Sequence, residues 1–172
     1  GFSNEAIKFW NIEYNPIAKA IRIPLIDVDD ECLGYIRRLT HAKVYKNTYG
    51  LSRDTFFGIN HYNGSIPIIV EGALDVIWLW QSGIGGGLGT LGISLSSGQL
   101  EVLKKLLCYS DKNEVILCFD NDTAGKLANN KTSAELLSQG IVSYTLSLPE
   151  GICDIQDMSS LEVKKLFDGG KI

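Results

Sequence analysis

The sequence predicts an α/β fold in which a mostly parallel sheet flanked by helices follows a small, basic α+β subdomain. Two short apolar runs, at 66–70 and 115–119, are rich in β-branched residues and typical of buried strands. Segments of helical periodicity follow both runs, and this alternation favours parallel strands joined by right-handed crossovers. The polar stretch at 60–65 marks the boundary, so the predicted division is 1–62 and 63–172.

The N-terminal part predicts a short helix and a β-hairpin. Ser3 is a candidate N-cap because Glu5 falls in what would be the first helical turn. Two strands are predicted at 21–28 and 32–39, and the acidic segment 29–31 would form the turn between them.

After the boundary, strands and helices alternate. The predicted order is a strand at 66–70, a helix at 73–81, a helix at 96–108, a strand at 115–119, a helix at 123–139, a strand at 141–148 and a helix at 159–167. The glycine-rich stretch 85–92 lacks the Gly-Lys-Ser/Thr ending of a phosphate loop and fits a dinucleotide fingerprint poorly. Close backbone packing around a strand and turn is therefore the preferred interpretation.

The composition is typical of a globular protein. Hydrophobic residues make up 45% and charged residues 21% of the chain, which argues against the disordered and disulfide-scaffold classes. No apolar run approaches the ~20 residues needed to cross a bilayer, and the N-terminus lacks a signal-peptide pattern, so a cytoplasmic protein without membrane contact is expected. The four cysteines are scattered and only two histidines are present, so zinc is not expected and any metal would be held by oxygen.

Charge is distributed unevenly along the chain. Residues 1–60 hold eight Lys and Arg against seven Asp and Glu, whereas residues 61–172 hold eight against thirteen. We call residues 35–53 the basic strip, because they carry five Lys and Arg and no acid. The strip favours contacts with phosphate, and the acidic remainder favours bound cations. A solvated surface loop is the alternative interpretation of the strip.

Acidic residues occur where the predicted strands end. Because the carboxyl ends of parallel strands meet at one edge of a sheet, these acids are expected to converge in the ligand crevice. Oxygen ligands favour Mg²⁺ or Mn²⁺, and two such ions ~4 Å apart would stabilise an in-line phosphoryl displacement. The acids are Glu71, Asp75, Asp120, Asp122, Asp154 and Asp157.

Each acid also has a purely structural interpretation. In this interpretation, Asp75 is an ordinary acid in the first turn of a helix, where the helix dipole favours negative charge. Asp122 and Asp157 are placed as helix N-caps, with Asp157 capping the final helix. Glu71 would then be a surface residue at a strand end.

Several motifs together resemble the Toprim domain of DnaG-type primases. They are the Glu-Gly-x-x-Asp element within 68–75, Gly-Thr-Leu-Gly at 89–92, Phe-Asp-x-Asp-x-Ala-Gly within 117–125, and Leu-Pro-Glu-Gly at 148–151 leading into Asp154. Their order and spacing match the family. The resemblance implies a Toprim domain at 63–172.

The resemblance continues upstream, because the N-terminal residues are similar to the primase polymerase core. Residues 1–14 resemble the opening helix, and 23–38 resemble a strand pair that ends in a nucleotide-binding arginine, here Arg38. Residues 45–48 resemble a Lys-Tyr-x-Asn-Ser element. The sequence departs from the family at Val44, where a lysine is usual, at Thr123, where an arginine is common, and at the last acidic pair, and these departures resemble a phage or divergent bacterial primase.

The resemblance implies template-directed synthesis of RNA primers on single-stranded DNA by two-metal nucleotidyl transfer from NTPs in a bacterial cell. A replicative helicase and a zinc-binding module would be partners outside this chain. The implied catalytic residues are Glu71, Asp75, Asp120 and Asp122, the implied ligands of Mg²⁺ or Mn²⁺ are Glu71, Asp120, Asp122 and Asp154, and the implied nucleotide and template contacts are Arg38, Lys43, Tyr45, Lys46 and Asn47.

Three alternative functions fit parts of the sequence. The segment 115–123, an apolar strand followed by Asp120-x-Asp122 and Thr123, also suits a haloacid-dehalogenase-type phosphatase, although about fifty residues remain after it for that class's later motifs. A Toprim nuclease or a recombination-mediator-like protein would share the acids, and only the N-terminal 60 residues argue against it. A DNA-binding module without catalysis is the third alternative.

Overall fold

The structure, a computed structural model, describes residues 1–42, 44–45, 47–110 and 112–169. Two sheets form within these residues, one antiparallel and one parallel. The helices are α1 (Asn4–Phe9), α2 (Ala73–Gln81), α3 (Ser97–Leu107), α4 (Thr123–Ser138) and α5 (Ser160–Gly169). The strands are β1 (Glu13–Asn15), β2 (Ala20–Ile26), β3 (Cys32–Leu39), β4 (Ile68–Val70), β5 (Gly87–Gly89), β6 (Glu114–Leu117) and β7 (Val142–Thr145).

The predicted α/β architecture is confirmed. Strands β5-β4-β6-β7 form a parallel sheet in that order, and the antiparallel sheet β1-β2-β3 precedes it in the chain. The glycine-rich stretch contains β5, as the packing interpretation expected. The short strand β1 was not predicted, because its three residues, Glu-Tyr-Asn, offer no apolar alternation. None of the described helices has the length and apolarity that a membrane span requires.

The antiparallel sheet turns one face toward the core. Ile23 and Ile36 are cross-strand partners and are buried with Leu25 against residues of α2. Side chains alternate between the two faces of a strand, so Arg38 lies on the same inward face as Ile36. The predicted N-cap is confirmed at Ser3, whose side chain accepts a hydrogen bond from the backbone N–H of Ala6.

The parallel sheet separates two hydrophobic clusters. Ile68 and Val70 of β4 belong to the cluster that includes α2, α5 and the antiparallel sheet, whereas Ile69 belongs to the other. That second cluster contains Leu103 of α3 and Leu136 of α4. The sheet is therefore covered on both faces, which leaves its carboxyl edge as the open crevice.

A buried glutamine fixes the loops beside β5. Gln99 is fully buried, and its Nε2 donates to the carbonyl oxygens of Thr55 and Thr90, both at 2.9 Å. Phe57 exchanges two backbone hydrogen bonds of 3.0 Å with Gly89 at the edge of the sheet. Residues before position 62 thus pack on the parallel sheet, and the division into 1–62 and 63–172 stays a prediction.

Truncation of a buried leucine tests the core of this sheet. We expect Leu117→Ala to lower the free energy of unfolding by ~2–5 kcal/mol, because Leu117 is 0% exposed between α3 and α4. The matched control is Leu137→Ala on α4, where the side chain is 71% exposed and a change under ~0.5 kcal/mol is expected. Chemical denaturation measures both, and equal losses would contradict this description of the core.

Candidate functional site

A cavity of about 660 Å³ opens at the carboxyl edge of the parallel sheet, beneath the inward face of β3. We call it the main cavity. Seven of the ten predicted site residues line the main cavity: Arg38, Tyr45, Asn47, Glu71, Asp75, Asp120 and Asp154. Two further predicted residues, Lys43 and Lys46, lie outside the residues that the structure describes.

Glu71 and Asp120 reach the cavity from neighbouring strands. Glu71 follows β4 directly, and Asp120 lies three residues beyond β6. The strand ladder holds them in register, since the N–H of Cys118 donates to the carbonyl oxygen of Ile69 at 2.9 Å. The Glu71 carboxylate also accepts a hydrogen bond of 3.3 Å from the backbone N–H of Asp120. Backbone hydrogen bonding therefore fixes both the strand end that carries Glu71 and the segment after β6 that carries Asp120.

Asp122 has the structural role of an N-cap. Its carboxylate accepts a 2.7 Å hydrogen bond from the backbone N–H of Gly125 at the start of α4. It is exposed and lies outside the lining of the main cavity. The neighbouring Gly125 has its own constraint, because a Cβ there would stand 2.1 Å from the carbonyl oxygen of Asp120.

Two hydrogen bonds from Asn121, which we call the clamp, bring Asp154 to the cavity, and the sequence did not predict them. The backbone N–H of Asn121 donates to the carbonyl oxygen of Cys153 at 2.8 Å, and its Nδ2 donates to that of Ile152 at 3.2 Å. Asn121 stands between the two aspartates of the Asp-x-Asp element, and its residue type alone does not signal this contact. The clamp places Asp154 beside the end of β6, although β7 ended nine residues earlier.

Asp157 does not cap the final helix, so that expectation is wrong. Its carboxylate accepts a 3.3 Å hydrogen bond from the backbone N–H of Asp154 and closes a short 3₁₀ turn, Ile155–Asp157. The final helix is instead preceded by Ser159, whose hydroxyl accepts from the N–H of Glu162. The cause is local, because an acid three residues after an aspartate can bond back within its own turn.

Asp75 is engaged through both of its oxygens. The carboxylate accepts from the backbone N–H of Gly72 at 2.8 Å and from Nε2 of Gln156 at 2.7 Å. With 6% of its surface exposed, it lines the floor of the cavity. The first-turn interpretation of Asp75 is therefore correct in structural terms. Gln156 was not singled out from the sequence, since nothing in its spacing marks it.

The carboxylates disturb one another electrostatically. Burial, followed by the charge of Asp154, raises the pKa of Asp75 to about 7. Burial and the charges of Glu71, Asp75, Asp154 and Asp122 raise the pKa of Asp120 to about 7. Burial also raises the pKa of Glu71. Negative charge is thus concentrated at this edge, and a bound cation would stabilise it.

The opposite wall of the cavity carries positive charge. Arg38 and Tyr45 are partners in an isolated antiparallel bridge. The Nε atom of Arg38 is buried and has no hydrogen-bond partner among the described residues, while the residue itself lines the cavity. Asn47 lies on the same wall. A guanidinium facing several carboxylates across a cavity suits a ligand that carries both phosphates and cations.

The glycine turn after β5 forms a third wall. Leu91 and Gly92 line the cavity, and Leu91 has a left-handed backbone, with φ of 57°. The Thr90 hydroxyl donates to the carbonyl oxygen of Gly92 and holds the turn. A Cβ at Gly92 would stand 2.2 Å from Nη2 of Arg53, so the last arginine of the basic strip packs against this turn.

The oxygen-only donor set suits a hard divalent cation. Glu71, Asp120 and Asp154 are the cavity acids that could hold one, with waters and substrate oxygens completing the shell. Within the described residues, no three His, Cys, Asp or Glu side chains already stand in a metal-binding arrangement, so these acids would have to rotate to close on an ion. The fold and the site together define an α/β protein with an acidic cavity at the carboxyl edge of its parallel sheet.

The Toprim-like family model matches residues 68–159, which is more than half of the chain, and the chain belongs to that family. A DNA primase of Clostridium acetobutylicum is 28% identical over 152 residues, which is 80% of this chain and 24% of that protein. A DNA primase of Rickettsia typhi is 30% identical over 154 residues, which is 81% of this chain and 25% of that protein. The chain thus spans about a quarter of the length of these relatives.

Solved primase structures share the fold. The zinc-binding and RNA polymerase domains of the Aquifex aeolicus primase superpose with a TM-score of 0.81 at 20% identity, covering 98% of this chain and 53% of that one. The primase fragment of the bacteriophage T7 primase-helicase protein superposes with a TM-score of 0.74 at 20% identity, covering 100% of this chain and 71% of that one. The arrangement of both sheets is therefore that of DnaG-type primase cores, and the predicted fold is confirmed.

The raised pKa of Asp75 predicts a pH dependence of stability. Asp75 binds its proton more tightly in the folded chain, with a pKa of about 7 against an ordinary 3.8. The free energy of unfolding should therefore fall as pH rises from about 4 to 7. Asp75→Asn cannot titrate and should show a shallower decline, with Asp120 supplying the remainder.

Denaturant unfolding across this pH range measures the effect. The buffer contains a chelator, because a bound cation would favour the ionised carboxylates. Equal slopes for the wild-type chain and Asp75→Asn would contradict the assigned burial of Asp75.

Gly125→Ala tests the contact between α4 and the end of β6. The added Cβ would collide with the Asp120 carbonyl oxygen, so we expect the free energy of unfolding to fall by ~1–3 kcal/mol. The control is Gly169→Ala at the end of α5, where a Cβ would meet nothing within 4 Å. Thermal or chemical unfolding decides the matter, and equal stability of the two variants would refute the close approach.

Proposed function

We propose that this chain is the RNA-polymerising core of a DnaG-type primase, which copies single-stranded DNA into short RNA primers. The observation that carries the proposal is the main cavity, where Glu71, Asp120 and Asp154 face Arg38. Acids alone would suit many Toprim activities. A guanidinium from a separate N-terminal sheet adds a site for the triphosphate of an incoming nucleotide.

The chain's own residues would bind and orient the substrates. Arg38, which lines the main cavity, would bind triphosphate oxygens through the N–H groups of its guanidinium. Tyr45 and Asn47 would contact the nucleotide or template at the rim, where Tyr45 is 52% exposed. Lys43 and Lys46 remain predicted contacts of the same kind.

The acids would hold the cations. Glu71, Asp120 and Asp154 would supply the ligand oxygens, with Asp122 close enough to add its charge. When bound, Mg²⁺ or Mn²⁺ would stabilise the charge that develops on the phosphoryl oxygens. Asp75, engaged by Gly72 and Gln156, would act as a positioning residue for the Glu71 segment.

The reaction is a nucleotidyl transfer. The 3′-hydroxyl oxygen of one ribonucleotide bonds to the α-phosphorus of an incoming NTP, and the bond from that phosphorus to the leaving pyrophosphate breaks. The basic strip would bind the template backbone by charge, which is how single strands are bound without sequence preference. A replicative helicase and a zinc-binding module are the partners that this proposal requires beyond the present chain.

A Toprim nuclease or recombination-mediator-like function is the second candidate. The acids fit this function as well as they fit a primase, because cation-assisted cleavage uses the same side chains. The inward position of Arg38 favours the polymerase proposal. The phosphatase alternative is set aside, since the chain belongs to the Toprim-like family.

Primer synthesis tests the proposal. With single-stranded template, NTPs and Mn²⁺, we expect labelled oligoribonucleotides that disappear on chelation and return with added cation. Glu71→Gln and Asp120→Asn should lower the rate about 100-fold or more, because each removes a charged ligand oxygen. The control is Asp168→Asn, an exposed acid of α5 outside the cavity lining.

The products separate the candidates. A shortened template without oligoribonucleotide would indicate a nuclease, and template binding without either product would indicate a DNA-binding module. Both results would contradict the proposed primase activity.

A further inference from the structure

A second cavity, of about 400 Å³, adjoins the main cavity at Asp120. We call it the side cavity. It lies between the loop after β6, the first turns of α4 and the end of β7, so it opens at the same carboxyl edge of the sheet. Asp120 is the residue common to both linings.

The wall of the side cavity is rich in neutral hydrogen-bonding groups. It contains the amides of Asn121, Asn129 and Asn130 and the hydroxyl of Thr145. Asn129 donates through Nδ2 to Oγ1 of Thr145 at 2.8 Å, whereas its Oδ1 is buried and has no partner among the described residues. Buried polar atoms are normally satisfied, and a rotation of the Asn129 side chain would turn this acceptor toward a ligand that brings an N–H or O–H.

One cation stands at this cavity. Lys126 lies in the first turns of α4, a helix of 16 residues whose N-terminus points toward the same edge. The lysine and the helix dipole would favour one phosphate group. The apolar side chains of Phe119, Leu146 and Leu148 complete the lining and offer surface to a base or ribose.

The position of Asp120 suggests how the two cavities divide the substrates. In an in-line phosphoryl transfer, the attacking oxygen and the leaving group lie on opposite sides of the phosphorus. The main cavity carries Arg38 and suits the triphosphate under attack. The other reactant must then approach Asp120 from a different direction, and the side cavity offers that approach.

We propose that the side cavity binds the ribonucleotide that supplies the attacking 3′-hydroxyl, beginning with the initiating ribonucleoside triphosphate. The inference rests on the proposed primase function and names the second substrate site that such a function needs. The 3′-oxygen would bond to the α-phosphorus of the nucleotide in the main cavity. The bond between that phosphorus and pyrophosphate would break, pyrophosphate would leave with the bonding electrons, and the hydroxyl proton would pass to water.

Departing pyrophosphate is the other ligand to consider for this cavity. Its negative charge would meet Lys126 and the carboxylate of Asp120, as the phosphates of a bound nucleotide also would, so charge does not distinguish the two ligands. The apolar side chains of Phe119, Leu146 and Leu148 offer pyrophosphate nothing, whereas together with the amide and hydroxyl groups of the lining they match a base and a ribose. The lining therefore favours a nucleoside over pyrophosphate.

Nucleotide stoichiometry tests the inference without requiring turnover. In equilibrium dialysis with ATP and Mn²⁺, the wild-type chain should bind two nucleotides, one in each cavity. The double variant Lys126→Met/Asn129→Leu should bind one. The matched control is Lys131→Met, an exposed lysine of the same helix outside the lining. A wild-type chain that binds one nucleotide, or a double variant that binds two, would overturn the proposal.

Initiation and extension provide a second readout. In the double variant, the KM of the initiating nucleotide in dinucleotide synthesis should rise about tenfold, as expected for the loss of a charge-assisted hydrogen bond. Extension of an oligoribonucleotide already annealed to the template should change less than about twofold, because base pairing holds its 3′ end.

The possible failures are distinguishable. A wild-type chain that makes no primers would contradict the proposed function. An active wild-type chain whose double variant initiates normally, or loses initiation and extension equally, would contradict the side-cavity proposal alone. Weaker inhibition by pyrophosphate with an unchanged KM would assign the cavity to the leaving group and would also overturn it.

Discussion

Mutual repulsion among carboxylates at one edge of the parallel sheet is the constraint around which the structure is organised. Glu71 and Asp120 are fixed at the ends of adjacent strands, and Asp154 approaches them from a loop. Burial and the neighbouring negative charges raise the pKa of Asp120 to about 7. Such an edge is costly to fold unless a cation or a proton neutralises it, and a cation bound there is positioned for chemistry.

Neutral contacts keep the acids together against this repulsion. Asn121 holds the 150s loop against the end of β6, and Gln156 holds Asp75 while it also approaches Asp154. Gly125 lets α4 begin within contact of the Asp120 carbonyl oxygen. None of these residues brings a compensating charge. The acids therefore meet no opposite charge from these contacts at this edge, so they would hold a cation, and that cation could in turn hold substrate phosphates.

The sequence was informative where local physical chemistry decides the outcome. The helix at 73–81 and the convergence of Glu71 with Asp120 follow from helical periodicity and from the geometry of parallel strands. Asn121 and Gln156 could not be identified in this way, because their roles depend on a loop that returns from β7 by tertiary packing. Asp157 was misassigned for the related reason that two adjacent turns compete for one acid.

The basic strip illustrates how a strand divides charge that looks continuous in sequence. Arg37 and Arg38 are neighbours, but the two-residue period of β3 sends them to opposite faces. Arg38 lines the main cavity, whereas Arg37 pairs in register with Arg22, which itself stacks over Tyr35 at 4.1 Å. The charge count of the basic strip therefore says little about what reaches the acids, because Arg38 alone among its described arginines lines the main cavity. One guanidinium oriented into the cavity is a more specific indication of a triphosphate site than the charge of the whole strip.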